Sequence, residues 1–432
     1  MIIRKKRDKT VLRMLKHCRL YHKYGIGMKE LCKILDNNQK TIAFVIGNGI
    51  NYHFCNKKAI SWLGLLEELW SQYCNDSNTD FSKIGGLPYT ELYDIIELRY
   101  NKTKKEQEHE KLKRSISSLV NSVEEESKLE KQQFVGTFKS EETNNTCTTT
   151  FPLSDEIEQV KQIENRMSKD IAKELKTYGL QPITPNSYES KYAAMNIASG
   201  GVLGRLLFLK KHISGIFKDA TLDSRALVFL NYAREKNIPI LTTNYDHAMA
   251  NLLKLQRYQF PLYETCQHLY PISTYFSGKS LNSATEGFGI WHINGMIDYQ
   301  NSIRLGLCDY MDLVQFLRSI MQINKDYGIE SLAALNDNMW IGKQTWLDIL
   351  FKKSLFIMGL GLNEDEVPLR WLLLQRERYN SMYNKGLKGW YVTCKDDEVS
   401  SNKRMFLENV GFNIIQIDDY RELYEDLWRN II

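Results

Sequence analysis

The amino-acid sequence predicts an α/β fold in which a mostly parallel sheet is flanked by helices and carries a helical insertion. Four short runs rich in apolar and β-branched residues support this prediction, at residues 41–46, 238–243, 289–293 and 354–358. Continuous apolar strands are typical of parallel sheets that helices cover on both faces. Two further runs, at residues 389–393 and 413–417, extend the predicted sheet.

A polar or glycine-containing cluster follows each of the four runs at its carboxyl end. The clusters are Gly47-Asn48-Gly49, Asn244-Tyr245-Asp246, Asn294-Gly295 and Gly359-Leu360-Gly361. In open, Rossmann-like α/β sheets, ligands bind beyond the carboxyl ends of the strands. Glycine and asparagine also serve simply as turn residues, but their presence at four strand ends favours one shared crevice.

Composition limits the classes of function that fit the chain. Its 432 residues are 43% hydrophobic and 25% charged, as in ordinary globular proteins. The formal net charge of +5 is too small to indicate nucleic-acid binding by itself, although residues 4–16 hold seven Lys and Arg residues. No secretory signal or membrane-length apolar run is visible, so we expect a soluble, cytoplasmic protein.

Cysteine spacing bears on metal and redox chemistry. None of the eight cysteines forms a C-x-x-C pair, so the sequence indicates neither a zinc ribbon nor a dithiol redox motif. Scattered single cysteines fit a reducing cytosol. We therefore expect no metal site.

The chain divides into three predicted regions. They are a basic helical segment at 1–40, the sheet domain at 41–100 and 181–432, and a charged, partly mobile helical insertion at 101–180. Helical patterns lie at 61–74, 90–100 and 155–177, while 140–150 is rich in Thr and Asn. The insertion is interpreted either as a lid or docking module or, the favoured reading, as a stabilising helical layer with solvated charges.

The glycine loop after the first strand has the composition of a phosphate or ribose site. Glycines at positions 47 and 49 let backbone N–H groups approach such a ligand closely. The third glycine of the G-x-G-x-x-G fingerprint is replaced by Tyr52. A hydride-transferring dehydrogenase is therefore disfavoured.

Three polar residues at the next strand ends are candidates for chemistry. Asn244 has both a donor and an acceptor group, so it can orient a ribose hydroxyl or a water molecule. Asp246 either caps the helix that follows, the common use of Asp there, or contacts a ligand. His292 is the residue type best suited to act as a base near neutral pH, although a lone His on a buried strand is more often hydrogen-bonded core.

Taken in order, these motifs resemble the sirtuin-like family of NAD-consuming proteins. The family's hallmarks are a G-x-G-x-[SN] loop, a T-x-N-x-D strand end, an H-G strand end and a late G-x-G/S loop. The corresponding segments are GNGIN at 47–51, SWLGLL at 61–66, TTNYD at 242–246, HING at 292–295, Asp309-Tyr310, and GLGLNED at 359–365. The resemblance covers 41–76 and 238–420, about half of the chain, and is greatest to prokaryotic members that deplete NAD in antiphage defence.

The resemblance implies a catalytic role for Asn244, an acidic partner in Asp246, and NAD bound as substrate. Predicted ligand-binding residues are Gly47, Asn48, Gly49, Asn51, Thr243, Asn294, Gly359, Gly361 and Asn363. The family's base is the His directly before Gly, a position that Asn294 holds here, and an amide cannot act as a base. His292, roughly 7 Å away on the same side of an extended strand, is the predicted substitute.

We therefore expect an NAD glycohydrolase that releases nicotinamide and acts as a toxic effector in antiphage (abortive infection) defence. The missing zinc ribbon disfavours protein deacylation. The alternative is a catalytically weak module that binds NAD or ADP-ribose for regulation, and a third hypothesis is nucleic-acid interaction through the basic N-terminal segment. Expected partners are NAD and either further copies of the chain or a defence-system protein; no membrane is expected, and nucleic acid is disfavoured.

Overall fold

The structure is an α/β arrangement in which helices flank an eight-stranded, mostly parallel sheet. The computed structural model describes residues 26–55, 61–74, 86–102, 107–133, 154–178, 180, 194–198, 202–261, 270–321, 335, 340–397 and 399–431. The predicted fold class is confirmed at this level. The arrangement is consistent with a Rossmann-like fold without being specific to it.

The eight strands form one mixed sheet. They are β1 (Ile42–Ile46), β2 (Ile240–Thr242), β3 (Gln256–Gln259), β4 (Thr274–Ser277), β5 (Ile290–His292), β6 (Ser354–Met358), β7 (Gly389–Cys394) and β8 (Phe412–Ile417). Their order in the sheet is β3-β4-β5-β2-β1-β6-β7-β8. Six adjacent strands pair in parallel: β5, β2, β1, β6, β7 and β8. Strands β3 and β4 extend the β5 edge in antiparallel fashion.

Helices cover both faces of this sheet. Helices in the described part of the chain include α1 (Ile26–Asn38), α2 (Gly49–Phe54), α3 (Trp62–Tyr73), α4 (Tyr89–Lys102), α5 (Gln107–Gln133), α6 (Ser154–Thr177), α7 (Val202–Phe217), α8 (Leu227–Glu235), α9 (Ala248–Leu252), α10 (Leu307–Met321), α11 (Trp346–Lys352), α12 (Val367–Tyr383), α13 (Ser401–Asn409) and α14 (Leu427–Ile431). A π-helical turn, Glu422–Asp426, leads into α14. Local π-turns inside helices often occur at functional sites.

The order of the parallel strands reverses between β1 and β6. Counted in chain order, the six parallel strands are arranged 3-2-1-4-5-6, with β1 as the first and β6 as the fourth. Such a reversal opens a crevice beyond the carboxyl ends of the two strands, because the connections leave to opposite sides. The loops that begin at Gly47 and Gly359 flank this crevice.

Alternation along β1 supplies both core layers. Ile42, Phe44 and Ile46 pack on one face of the sheet, and Phe44 meets the ring of Trp428 in α14 at a centroid distance of 5.7 Å. Ala43 and Val45 face the opposite layer, which α10 to α12 cover. All five residues are buried, as expected for a central strand with helices on both sides.

Strands β3 and β4 were not predicted, since neither carries the continuous apolar pattern of the parallel strands. The side chains of β3 are mostly exposed, and its sequence, Gln-Arg-Tyr-Gln, is polar. An edge strand has one free side and needs no apolar run, so hydrophobic periodicity does not detect it. These two strands extend the sheet beyond β5, away from the crevice.

Helices α3 to α7 lie between β1 and β2 in the chain. Buried residues of α5, α6 and α7 form an apolar cluster of their own, which includes Ile116, Ile171 and Phe208. The basic cluster predicted at 4–16 and the Thr- and Asn-rich stretch at 140–150 lie outside the described residues. Within the described residues, no helix combines the length and apolar character needed to cross a membrane.

Arg376 fastens α12 to the amino-terminal edge of the sheet, opposite the crevice. Its guanidinium is fully buried and donates to the carbonyl oxygens of Leu350, Lys353 and Lys388 at 3.0–3.1 Å. The Arg376→Ala variant removes all three of these buried hydrogen bonds, so we expect the free energy of unfolding to fall by about 3 kcal/mol. Urea denaturation measures this loss.

The matched control is Arg378→Ala, which removes an exposed arginine of the same helix. We expect this variant to stay within about 0.5 kcal/mol of the wild type, as is usual at surface positions. Equal losses in the two variants would contradict the anchoring role of Arg376.

Candidate functional site

The carboxyl ends of β1, β2 and β6 meet in direct contact. The amide of Gly49 donates to the carbonyl oxygen of Gly359 at 2.8 Å, and the amide of Gly47 donates to Met358 at 3.2 Å. From the third strand, Asn244 Nδ2 lies 3.4 Å from the carbonyl oxygen of Gly47. Gly47, Asn244 and Gly359, which the sequence placed on separate strands, therefore share one site.

This contact leaves no room for a Cβ atom on either loop. A Cβ atom at Gly47 would lie 2.4 Å from the carbonyl oxygen of Gly359, and one at Gly49 would lie 2.5 Å from the Cα atom of Gly359. Gly359 itself has a φ of 62°, in the left-handed region that favours glycine. The glycines thus serve loop-to-loop packing before they serve any ligand.

An outer cavity of about 640 Å³ lies over these loops. Six predicted ligand-binding residues line it: Asn48, Gly49, Thr243, Gly359, Gly361 and Asn363. The sequence analysis missed Tyr391 and Tyr424, which line it beside the glycine loops, and four residues of its far end, at the carboxyl end of β7 and beyond: Thr393, Asp397, Lys403 and Tyr420. The volume is that of a small-molecule site.

An inner cavity of about 90 Å³ adjoins the outer one. Asn244, Asp246 and Asn294 line it, as do the aromatic rings of Phe217, Tyr245 and Tyr310. Four residues line both cavities: Asn48, Trp62, Thr243 and Glu366. The two cavities therefore share part of their wall, and aromatic rings form part of the lining of the inner cavity.

Two predicted ligand-binding residues, Gly47 and Asn51, are not among the residues lining either cavity. Asn51 is buried, and its Nδ2 donates to Asn48 Oδ1 at 3.0 Å and to Asp246 Oδ2 at 2.8 Å. The side-chain amide of Asn51 therefore holds Asn48 and Asp246, two residues that line the cavities, in place. Gly47 contributes to the contact between the two glycine loops.

Asp246 makes a hydrogen bond at the start of α9 and also lies in the wall of the inner cavity, while its contact with a ligand stays a prediction. Its Oδ1 accepts from the backbone amide of Ala248, the first residue of α9, at 2.9 Å. Burial raises the pKa of Asp246, and the hydrogen bonds from Ala248 and Asn51 counteract this rise. Both carboxylate oxygens are engaged within the fold.

The placement of His292 does not favour the predicted role as proton acceptor. Its Nδ1–H donates to the backbone carbonyl oxygen of Asn244 at 2.7 Å, and it is not among the residues lining either cavity. Burial, with a contribution from neighbouring His247, lowers the pKa of His292 to about 3. With this low pKa the imidazole is a weak proton acceptor, and its hydrogen bond holds the backbone of Asn244.

Glu366, which the sequence analysis missed, lies where the cavities adjoin. Burial raises the pKa of Glu366 to about 7, a hydrogen bond from the Asn294 side chain counteracts the rise, and the charge of Asp365 adds to it. In the sequence it is the last residue of an acidic triplet, Glu364 to Glu366, directly before α12. Acidic residues commonly precede a helix, so composition alone does not reveal which carboxylate turns inward.

The far end of the outer cavity carries mixed charge. Asp397 accepts a hydrogen bond from the hydroxyl of Tyr420, and its Oδ2 lies 3.4 Å from Thr393 Oγ1. Burial lowers the pKa of Lys403 nearby. Hydroxyl, carboxylate and ammonium groups together suit a hydroxyl-rich ligand such as a ribose.

Comparison with protein-family models gives no match, and comparison with curated proteins gives none either. The resemblance to the sirtuin-like family therefore remains a prediction from the motifs. In the part of the chain that the structure describes, no cluster of three or more His, Cys, Asp or Glu side chains is placed to hold a metal ion.

The packing of Gly359 allows a direct test of the loop contact. A Cβ atom there would lie 2.1 Å from the hydroxyl oxygen of Tyr424 and 3.0 Å from the Cα atom of Gly49. Gly359→Ala combines this clash with left-handed strain, so we expect a loss of about 2–3 kcal/mol in the free energy of unfolding. Thermal or urea denaturation measures it.

Gly386→Ala is the matched control, because Gly386 also has a positive φ, 67°, but an added Cβ there would have no atom of the described residues within 4 Å. This variant carries only the strain, and we expect a loss of about 1 kcal/mol. If the two variants lose the same amount, the close approach of the loops is not the constraint described here.

Proposed function

We propose that the protein is an NAD glycohydrolase, which converts NAD and water into nicotinamide and ADP-ribose. The observation that carries the proposal is the convergence of three glycine- and asparagine-bearing strand ends on two adjoining cavities, with Asn244 in the inner one. The ordered motifs of the sequence resemble those of NAD-consuming proteins, and this resemblance indicates NAD as the ligand.

The strand order supports a dinucleotide as the ligand. The arrangement 3-2-1-4-5-6 with reversal at β1 and β6 is the one found in Rossmann-like dinucleotide-binding sheets. Under this proposal the diphosphate lies along the loops of Gly49 and Gly359, and the adenosine lies toward Thr393 and Asp397. The nicotinamide ribose then reaches the wall between the cavities, beside Asn244.

The chemistry needs little acid catalysis. Nicotinamide leaves a pyridinium as a neutral molecule, so the demanding steps are stabilising an oxocarbenium-like ribose and placing a water molecule. The side-chain amide of Asn244 orients that water or the ribose hydroxyls, while the hydrogen bond from His292 holds the Asn244 backbone. Asp246 orients the carboxamide of nicotinamide from the floor of the inner cavity.

The proposed biological role is that of a toxic effector in antiphage defence, acting by depletion of NAD. This part rests on the resemblance to prokaryotic defence proteins. Such an effector is held inactive until triggered, so the protein works either as an oligomer or with a partner protein of the same defence system.

The second candidate is a module that binds NAD or ADP-ribose and does not turn NAD over. The identity of Asn294 favours it, because this amide stands where the resembled family has its base. Both candidates use the same cavities and differ only in the release of nicotinamide.

Asn244→Ala tests the catalytic proposal. The variant removes the amide that orients water or ribose, while its backbone carbonyl still accepts from His292. We expect nicotinamide release to fall by about 10²-fold or more with the thermal unfolding midpoint within a few degrees of the wild type. Chromatographic measurement of nicotinamide follows the reaction.

Asn251→Ala, an exposed position in α9 just after the same strand end, is the matched control and should retain wild-type turnover. Unchanged turnover in Asn244→Ala would remove Asn244 from the mechanism. Saturable NAD binding without nicotinamide release by the wild type would favour the binding module.

A further inference from the structure

The site has the amide of Asn294 where the resembled family has a base, and His292 is not positioned to replace it. A hydrolysis that adds water to the ribose must still take up the proton that the water loses. The group that does so must reach the place where the ribose lies, beside Asn244 and between the two cavities.

Glu366 is the carboxylate at that place. It lines both cavities, and the Asn294 side chain hydrogen-bonds its carboxyl group. Its Oε2 is buried and makes no hydrogen bond within the part of the chain that the structure describes. A buried carboxylate oxygen without a partner is costly in a finished fold, which favours a ligand as its partner.

The other carboxylates of the two cavities, and their histidine, already have partners. They are Asp246 with Asn51 and Ala248, His53 with Glu425, Asp365 with Thr90, and Asp397 with Tyr420. Among these side chains Glu366 is the one with a fully buried oxygen that has no hydrogen-bond partner in the described residues.

We propose that Glu366 is the catalytic base of the proposed hydrolysis and stands in for the histidine that Asn294 replaces. A bond forms between the water oxygen and C1′ of the ribose while the bond from C1′ to the nicotinamide nitrogen breaks. The electron pair of that bond leaves with nicotinamide, and the water proton passes to the Glu366 carboxylate. Glu366 then releases this proton to solvent.

The surroundings of Glu366 set the pH dependence of this role. The titratable groups that interact with it are Asp365 beside it and the hydroxyls of Tyr245 and Tyr310 across the inner cavity. Burial raises the pKa of both tyrosines well above 10, so they stay neutral. The pKa of Glu366, about 7, therefore controls the charge of this wall.

A base must be unprotonated to act, so turnover rises as the pH rises through about 7 and falls about tenfold per pH unit below 6. The hydrogen bond from Asn294 keeps the pKa of Glu366 from rising further. Asn294→Ala removes that bond, and we expect the midpoint of the acidic limb to move to higher pH.

The central test compares Glu366→Gln with Glu364→Gln, an exposed member of the same acidic triplet. We expect Glu366→Gln to lower kcat about 10²-fold, to lose the acidic limb, and to bind ADP-ribose as the wild type does. Glu364→Gln should keep the wild-type rate and pH profile. Nicotinamide release from pH 5 to 9 and calorimetry with ADP-ribose provide the two readouts.

The outcomes separate this inference from the proposed function on which it rests. A wild type that releases nicotinamide while Glu366→Gln keeps its rate and acidic limb overturns Glu366 as the base and leaves the glycohydrolase intact. A wild type that releases no nicotinamide overturns both. If Glu366→Gln does not fold, the wild-type profile decides: a limb near pH 7 that Asn294→Ala moves upward supports the role, and an unmoved or absent limb overturns it.

Discussion

The close approach of two loops at the centre of the sheet is the constraint on which the site depends. The loop after β1 and the loop after β6 touch through backbone atoms at Gly47, Gly49 and Gly359, with no space for a side chain between them. Because β1 and β6 are the strands at which the sheet order reverses, this contact fixes the floor of the crevice. The outer cavity takes its shape from that floor, and the inner cavity opens beside it.

The buried polar residues around the crevice differ in the partners of their hydrogen bonds. Three of them form hydrogen bonds with neighbouring chain segments: Asn51, Asp246 and His292. These bonds hold Asn48 and Asn244 in place. Glu366 has an oxygen without a partner among the described residues, and burial raises its pKa to about 7.

Much of this arrangement was predictable from sequence, because apolar runs ending in glycine or asparagine mark buried parallel strands and their carboxyl ends. That pattern predicts the six parallel strands of the core and the meeting of Gly47, Asn244 and Gly359. The polar edge strand β3 escaped it, since exposed residues carry no periodic signal. His292 was predicted to be a catalytic base because its residue type suits that role. Only the fold reveals that its buried ring is hydrogen-bonded to the backbone of Asn244. Glu366 was missed because it belongs to an acidic triplet whose members look alike in one dimension.

The central claim is that the two adjoining cavities form one site for a dinucleotide. Titration calorimetry of the wild type with ADP-ribose, AMP and nicotinamide tests this claim most directly, since ADP-ribose spans the loops while the other two reach only one end. The account predicts one ADP-ribose per chain, bound at least about tenfold more tightly than AMP, which corresponds to about 1.4 kcal/mol. Absence of saturable ADP-ribose binding, or equal affinity for AMP, would contradict it.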